Sequence, residues 1–154
     1  MSEAPKAGLA IRRFAELSAG ELYELLRFRQ AIFVVEQRSP YPDLDGFDQS
    51  ALHFMLREEG ALVGCLRLVA PDDAAAPVAL GRIAVLASHR RRGLAAGLVE
   101  AALTLCRKRY PQRPLRLTAQ CHLARFYEHF GFAAAGLPFD DFGVMHVEMH
   151  KPHP

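Results

Sequence analysis

Arg82-Ile83-Ala84-Val85-Leu86-Ala87-Ser88-His89-Arg90-Arg91-Arg92-Gly93-Leu94-Ala95-Ala96-Gly97 runs from a strand pattern through a basic turn straight into a helix pattern. The apolar period changes after Leu86 from about 2 to about 3.6, because Leu94, Leu98, Ala101, Ala102 and Leu105 recur on one helix face. A turn of this kind leaves the first backbone N–H groups of the helix without intrahelical partners and aims the positive end of its dipole at one spot. That spot is an anion site. Gly93 and Ala95 keep bulk away from the amides of the turn through Leu94 and Ala96, while Arg90, Arg91 and Arg92 add charge around the rim. The spacing is neither G-x-x-x-x-G-K-[ST] nor G-x-G-x-x-G, which argues against a general nucleotide site.

Working outward, Leu9 to Phe14 predicts a short strand, and Ser18 with Glu21 forms a capping box for a helix reaching about Val34. Residues 36–50 lose all periodicity and carry Pro40, Pro42, Gly46 and four carboxylates, so they predict a long loop. Ala51 to Arg57, Leu62 to Val69 and Val78 to Leu86 predict an antiparallel meander whose first turn contains Glu59-Gly60. Past the central helix, which should stop near Tyr110-Pro111, a strand is predicted over Leu115 to Ala119 and a second helix over about Leu123 to Phe130. Phe132 to Ala135 and Val144 to Met149 read as closing strands. The expected fold is therefore α/β (α+β): a mixed, mostly antiparallel sheet of about six or seven strands flanked by helices, in the order β-α-β-β-β-α-β-α-β-β.

A chain of 154 residues, 51% hydrophobic and 23% charged with a mean hydropathy of +0.02, suits one globular domain over 1–154 with its core in residues 9–150. No apolar run approaches the ~20 residues of a membrane span, and the first ten residues hold no signal-peptide core, so a soluble cytoplasmic protein is expected. A net charge of +2 does not by itself argue for nucleic acid or a membrane. The charges are segregated, however: eight basic residues and the single acid Glu100 lie between Arg90 and Arg116, whereas Glu36, Asp43, Asp45 and Asp48 share their segment with Arg38 alone. Cys65, Cys106 and Cys121 form neither an even set nor a C-x-x-C pair, which predicts reduced and mostly buried thiols.

Arg90-x-x-Gly93-x-Ala95, between a strand and a helix, resembles the Q/R-x-x-G-x-G/A pyrophosphate loop of the GNAT superfamily of N-acetyltransferases. Gln120-Cys121-His122-Leu123-Ala124-Arg125-Phe126-Tyr127 with the following Gly131-Phe132 resembles the family's second motif, with Gln120 where Asn is frequent and Leu123 where Ala is. The resemblance implies acetyl-CoA as co-substrate, with its diphosphate at Arg90 to Ala96 and its pantetheine arm along the backbone of Ile83, Ala84 and Val85. It also implies that Tyr127 protonates the departing sulfur, a role open to a phenol with a pKa of about 10.

Phe33-Val34-Val35-Glu36-Gln37, then Pro40-Tyr41-Pro42-Asp43-Leu44-Asp45 and the later His53, resembles the ElaA-like branch of that superfamily, with Ser39 where Cys is frequent. Acyl transfer to an amine needs a base. Glu36, Asp45, Asp48, His53 and His146 are the candidates, with His53 and Glu36 placed first, and Asp45 and Asp48 are expected to draw in a cationic acceptor. His146, His150 and His153 lack a supporting Cys or carboxylate cluster, so no metal is expected. Two other classes remain open: a non-catalytic acyl-CoA sensor on the same fold, and a nucleic-acid-binding face along residues 90–116, which lacks interleaved aromatics. The expected partner is an amine-bearing small molecule or peptide, without nucleic acid or membrane, and exposed sheet edges allow a homodimer.

Overall fold

In a computed structural model, which describes residues 8–154, the strand patterns assemble into a single eight-stranded sheet. The elements are β1 (Gly8–Arg13), α1 (Ala19–Gln30), β2 (Leu52–Glu58), β3 (Ala61–Val69), β4 (Val78–Val85), α2 (Leu94–Arg109), β5 (Leu115–Gln120), α3 (Ala124–Glu128), β6 (Ala133–Ala134), β7 (Phe139–Asp141) and β8 (Val144–Lys151). The spatial order is β1-β2-β3-β4-β5-β8-β6, with β7 also pairing with β8. Every neighbouring pair is antiparallel except β4 with β5.

Local chemistry explains most boundaries. The Ser18 hydroxyl accepts from the Glu21 amide at 3.1 Å and the Glu21 carboxylate accepts from the Ser18 amide at 2.9 Å, so α1 starts where the capping box directs. Instead of running regularly to Val34, the helix widens at Ala31–Glu36 into a π-helical turn, where Ile32, Val34 and Val35 bring three β-branched side chains together. Glu59 and Gly60 both take left-handed backbone angles, φ 50° and 79°, and make the two-residue turn between β2 and β3.

Two expectations need correcting. The sheet gains β7 because Phe142 and Gly143 also turn left-handed, at φ 53° and 87°, and fold Asp141 back opposite Val144. A bulky aromatic rarely takes that conformation, so no turn signal marked it. The second helix is shorter than predicted: Cys121–Leu123 form a 3-10 turn and only Ala124–Glu128 is α-helical.

One core lies between the sheet and α2 with α3, where Leu98, Val99, Ala102 and Cys106 of α2 are at most 1% exposed. A smaller one, of Leu25, Phe28, Ile32, Met55, Leu62 and Cys65, fills the α1 face. At Gly64 of β3 a Cβ atom would stand 3.2 Å from Leu98 Cδ1, so the missing side chain lets α2 approach the sheet. Among the described residues no helix is long and apolar enough to cross a membrane.

The feature that matters for function is where the sheet fails to close. β4 and β5 pair only at Val78 with Leu115, Ala79 with Arg116 and Leu80 with Leu117. Beyond Leu80 the β4 ladder is disrupted: β3 pairs Arg67 with Gly81 but Cys65 with Ala84, and Arg82 in the bulge has φ 50°. A bulge bends its strand and re-aims the ladder. Here β4 parts from β5 and leaves a gap through the sheet.

Candidate active site

On one side of the gap lies a cleft of about 660 Å³, bounded by the ends of α1 and β4, the start of α2, and α3. Gly93 caps α2 at φ 75° and offers no side-chain partner, and the first helical bond runs from Gly97 N to Gly93 O at 3.0 Å. The amides of Gly93, Leu94, Ala95 and Ala96 therefore stay free to donate toward the cleft they line. Arg90 joins both walls: Nε donates to the Val85 carbonyl at 2.9 Å and Nη2 to Glu36 Oε2 at 2.6 Å. Arg91 lines the same cleft. Arg92, expected there too, instead donates twice to Glu58, at 2.7 and 3.1 Å, because Glu58 at the end of β2 is the nearer counterion. Amides, two arginines and an open mouth fit a diphosphate.

The β4 backbone fits an extended amide chain. Leu86 N donates to Val63 O at 2.8 Å, and alternation along an antiparallel ladder then turns the Val85 amide away from β3, toward the gap. Ile83 has no partner in the β3 register, next to the bulge. Ala84, expected to bond the same ligand through its backbone, is paired with Cys65 of β3 and contributes surface only.

Through the gap the cleft meets a narrow pocket of about 80 Å³ between Leu80, Ile83, Leu117 and Tyr127, which continues into a groove of about 260 Å³. Tyr127 lines both the cleft and the narrow pocket. Its ring is held edge-on by Phe126 and Phe132, with centroids at 5.0 and 6.5 Å, and burial pushes its hydroxyl up to about 12. On the far side stand Thr118, Gln120, Asp141 and His146. His146 Nδ1 sits 2.8 Å from the Val144 carbonyl, so Nδ1 carries the proton and the Nε2 lone pair is left available.

The acidic loop is not what the sequence led us to expect. Asp43, Asp45 and Asp48 are locked to Arg29, Arg67 and Arg82, three positive charges against three negative. Arg29 reaches Asp43 at 3.0 Å and Asp48 at 2.6 Å; Arg67 reaches Asp45 at 2.7 Å and Asp48 at 3.1 Å; Arg82 reaches Asp43 at 2.8 Å and Asp45 at 3.1 Å. Burial pushes Asp45 up, but hydrogen bonds from Arg67 and the charges of Arg67 and Arg82 overcome it and hold the carboxyl at about 2. Asp48 is lowered in the same way, against its burial, by Arg29 and Arg67. Neither carboxylate lines the gap or the groove. As counterions they cannot serve as the expected acceptor anchors, and with their guanidinium partners holding both in the charged form they are poor bases.

His53 is also corrected. It is 2% exposed, its Nε2 donates to the Asp48 carbonyl at 2.9 Å, and burial lowers its pKa, so it braces the loop and touches no open space. Glu36 lines the cleft side and is paired with Arg90. Of the five candidate bases, His146 is the one on the acceptor side of the gap. Sequence reasoning missed Asp141 and the three arginines because the former follows no motif and the latter find their aspartates only across 14 to 39 residues of chain. Cys65 and Cys106 are buried, which raises their thiols to about 12 and about 11, and neither is a ready nucleophile.

The comparisons with known proteins agree with this geometry. Residues 27–152 match the family described as an acetyltransferase (GNAT) domain. The chain is 36% identical to protein ElaA of Escherichia coli strain K12 over 139 residues, covering 89% of this chain and 91% of that one. It is 38% identical over 141 residues to UPF0039 protein sll0451 of Synechocystis, 90% of each chain. A crystal structure of an acyl-CoA N-acyltransferase from Pseudomonas aeruginosa superimposes with a TM-score of 0.89 at 32% identity, over 95% of this chain and 99% of that one. With the family match over residues 27–152, relatives at 36–38% identity over about nine-tenths of the chain and an overall fold that superimposes, the chain belongs to the GNAT acetyltransferase family.

Proposed function

We propose that this protein transfers an acetyl group from acetyl-CoA to a primary amine by direct attack within a ternary complex. The observation that carries the reading is the gap beyond Leu80 and Leu117, where an anion-binding cleft and an acceptor pocket meet at Tyr127. The name of the Pseudomonas relative, an acyl-CoA N-acyltransferase, supports the same chemistry.

The thioester supplies an activated acyl carbon; this chain's residues bind, orient and move protons. The amides of Gly93 to Ala96 with Arg90 and Arg91 hold the diphosphate. The Ile83 and Val85 amides take the pantetheine arm along β4 and present donors where negative charge develops on the acyl oxygen. His146 Nε2 accepts a proton from the attacking nitrogen as the C–N bond forms and the C–S bond breaks, the electron pair leaving on sulfur. Tyr127 stays protonated, since its hydroxyl lies at about 12. Its hydroxyl is thus placed to donate a hydrogen bond to the departing sulfur as the C–S bond breaks, and the sulfur then takes its proton from solvent.

The test is free-thiol release from acetyl-CoA with a panel of amines, alongside calorimetric titration of CoA. Release that depends on amine and falls at least about tenfold in His146→Gln supports the reading. CoA binding without release for any amine would favour a binding module, and no CoA binding would remove the whole assignment.

A further inference from the structure

We infer that the acceptor is a diamine or polyamine, an amine carrying a second ammonium a few carbons from the one acylated, and that Asp141 holds this second charge while the first faces His146. The inference rests on the transfer reading above and adds the acceptor class to it.

The β7–β8 hairpin sets the geometry. Its register pairs Phe139 with His146 and Asp141 with Val144. Residues directly opposed in an antiparallel ladder project to one face, as do residues two apart, so Phe139, Asp141, Val144 and His146 share a face. Asp141 and His146 are diagonal neighbours, with Cβ atoms about 7 Å apart. An extended chain of about four carbons between two nitrogens covers roughly 6 Å. Both side chains line the narrow pocket and the groove beyond it.

Charge bookkeeping around that space singles out one group. The other charged side chains lining the pocket and groove are Arg67, Arg82 and Arg116. Arg67 and Arg82 are neutralised by Asp43, Asp45 and Asp48, and Arg116 by Glu148 at 3.3 Å. Among the described residues Asp141 forms no ion pair, and its carboxylate has no hydrogen-bond partner. It is half-buried, where a counterion is worth more than in open water. A carboxylate-bearing acceptor would meet this anion with the nearby guanidinium groups already occupied. Between the two charges an apolar spacer has surfaces to lie on: Phe139 stacks on His146 with centroids 6.2 Å apart, and the Tyr41 ring lines the same pocket and groove.

In the reaction the second ammonium keeps its proton and its place against Asp141. The reacting nitrogen gives its proton to His146 Nε2, bonds to the acyl carbon and releases sulfur with its electron pair.

Putrescine, butylamine and γ-aminobutyrate share one length and differ in the charge at the far end, so they make the test. Calorimetry of the CoA-loaded protein with each is run beside thiol release from acetyl-CoA with each, for the wild type, Asp141→Asn and Asp141→Lys, after melting curves confirm that the variants fold. The wild type is expected to favour putrescine over butylamine by about tenfold in both affinity and kcat/KM. Asp141→Asn brings that ratio toward one, and Asp141→Lys turns the preference toward γ-aminobutyrate. A wild-type ratio near one, or a ratio kept by Asp141→Asn, overturns the inference while thiol release leaves the transfer reading standing. Asp141-dependent putrescine binding without thiol release overturns the transfer reading and keeps the site for the second charge. Neither binding nor release removes both.

Discussion

Arg29 Nη1 meets Asp48 Oδ1 at 2.6 Å with both side chains under a tenth exposed, and this pair ties α1 to the turn that leads into β2. The same Arg29 also holds Asp43. Removing it leaves Asp43, Asp45 and Asp48 to share two guanidinium groups, those of Arg67 and Arg82, and so uncovers negative charge beside the buried Asp43 and Asp48, the costly half of a buried ion pair.

Arg29→Ala is therefore expected to lose about 3–5 kcal/mol of stability, measured as a fall in the urea midpoint at unchanged slope. A loss under about 1 kcal/mol would mean that the loop finds other counterions or opens to solvent.

The pH dependence of stability has two limbs. Asp45 titrates near 3.8 when unfolded and at about 2 when folded, so below 3.8 the unfolded chain binds the proton more readily. Its contribution, screened by solvent because Asp45 is exposed, is complete above that pH and lost as pH falls toward 2; Asp48 moves in the same direction. His53 adds an earlier decline: burial lowers its pKa from 6.5, so the unfolded chain takes up its proton first and stability begins to fall below that pH. Thermal melts between pH 8 and 2 should show both limbs, with His53→Gln removing the first and Asp45→Asn shrinking the second. A melting temperature that stays flat from neutrality down to about pH 3 would contradict both assignments.

Arg90 and Arg92 stand two residues apart and should behave differently. Arg90→Ala removes a cation that lines the cleft and cuts the link between Val85 and Glu36, and is expected to weaken CoA binding about tenfold and reduce its salt sensitivity. Arg92→Ala, which frees Glu58 outside the cleft, should change affinity by no more than about twofold. Equal losses in calorimetric titrations would show that charge density, and not placement, governs binding.

Tyr127→Phe is expected to lower kcat about tenfold with little change in KM, the signature of a hydrogen bond made mainly in the transition state. With the hydroxyl at about 12, Tyr127 should impose no basic limb on the rate profile below about pH 10. A wild-type limb that disappears in the Phe variant would instead mark Tyr127 as an acid with a much lower pKa.

The segment Arg82 to Gly97 determined a great deal without help. A strand period, a basic turn with Gly93 and a helix period are local properties, and together with the element order they were enough to predict the mixed sheet, the anion-binding turn and the family resemblance. The Ser18 cap and the Glu59-Gly60 turn were legible for the same reason, since each is satisfied by its own neighbours. What the tertiary structure decided depends on contacts between distant segments. Asp45 and Asp48 read as free carboxylates until Arg29 and Arg67 closed on them, and His53 read as a base until Asp48 took its ring N–H. Asp141 and His146 came to the acceptor side only because Phe142 adopted a left-handed turn that its residue type does not advertise. Hydrophobic period and turn chemistry are written residue by residue, whereas the charge state of a side chain is set by what folding brings beside it.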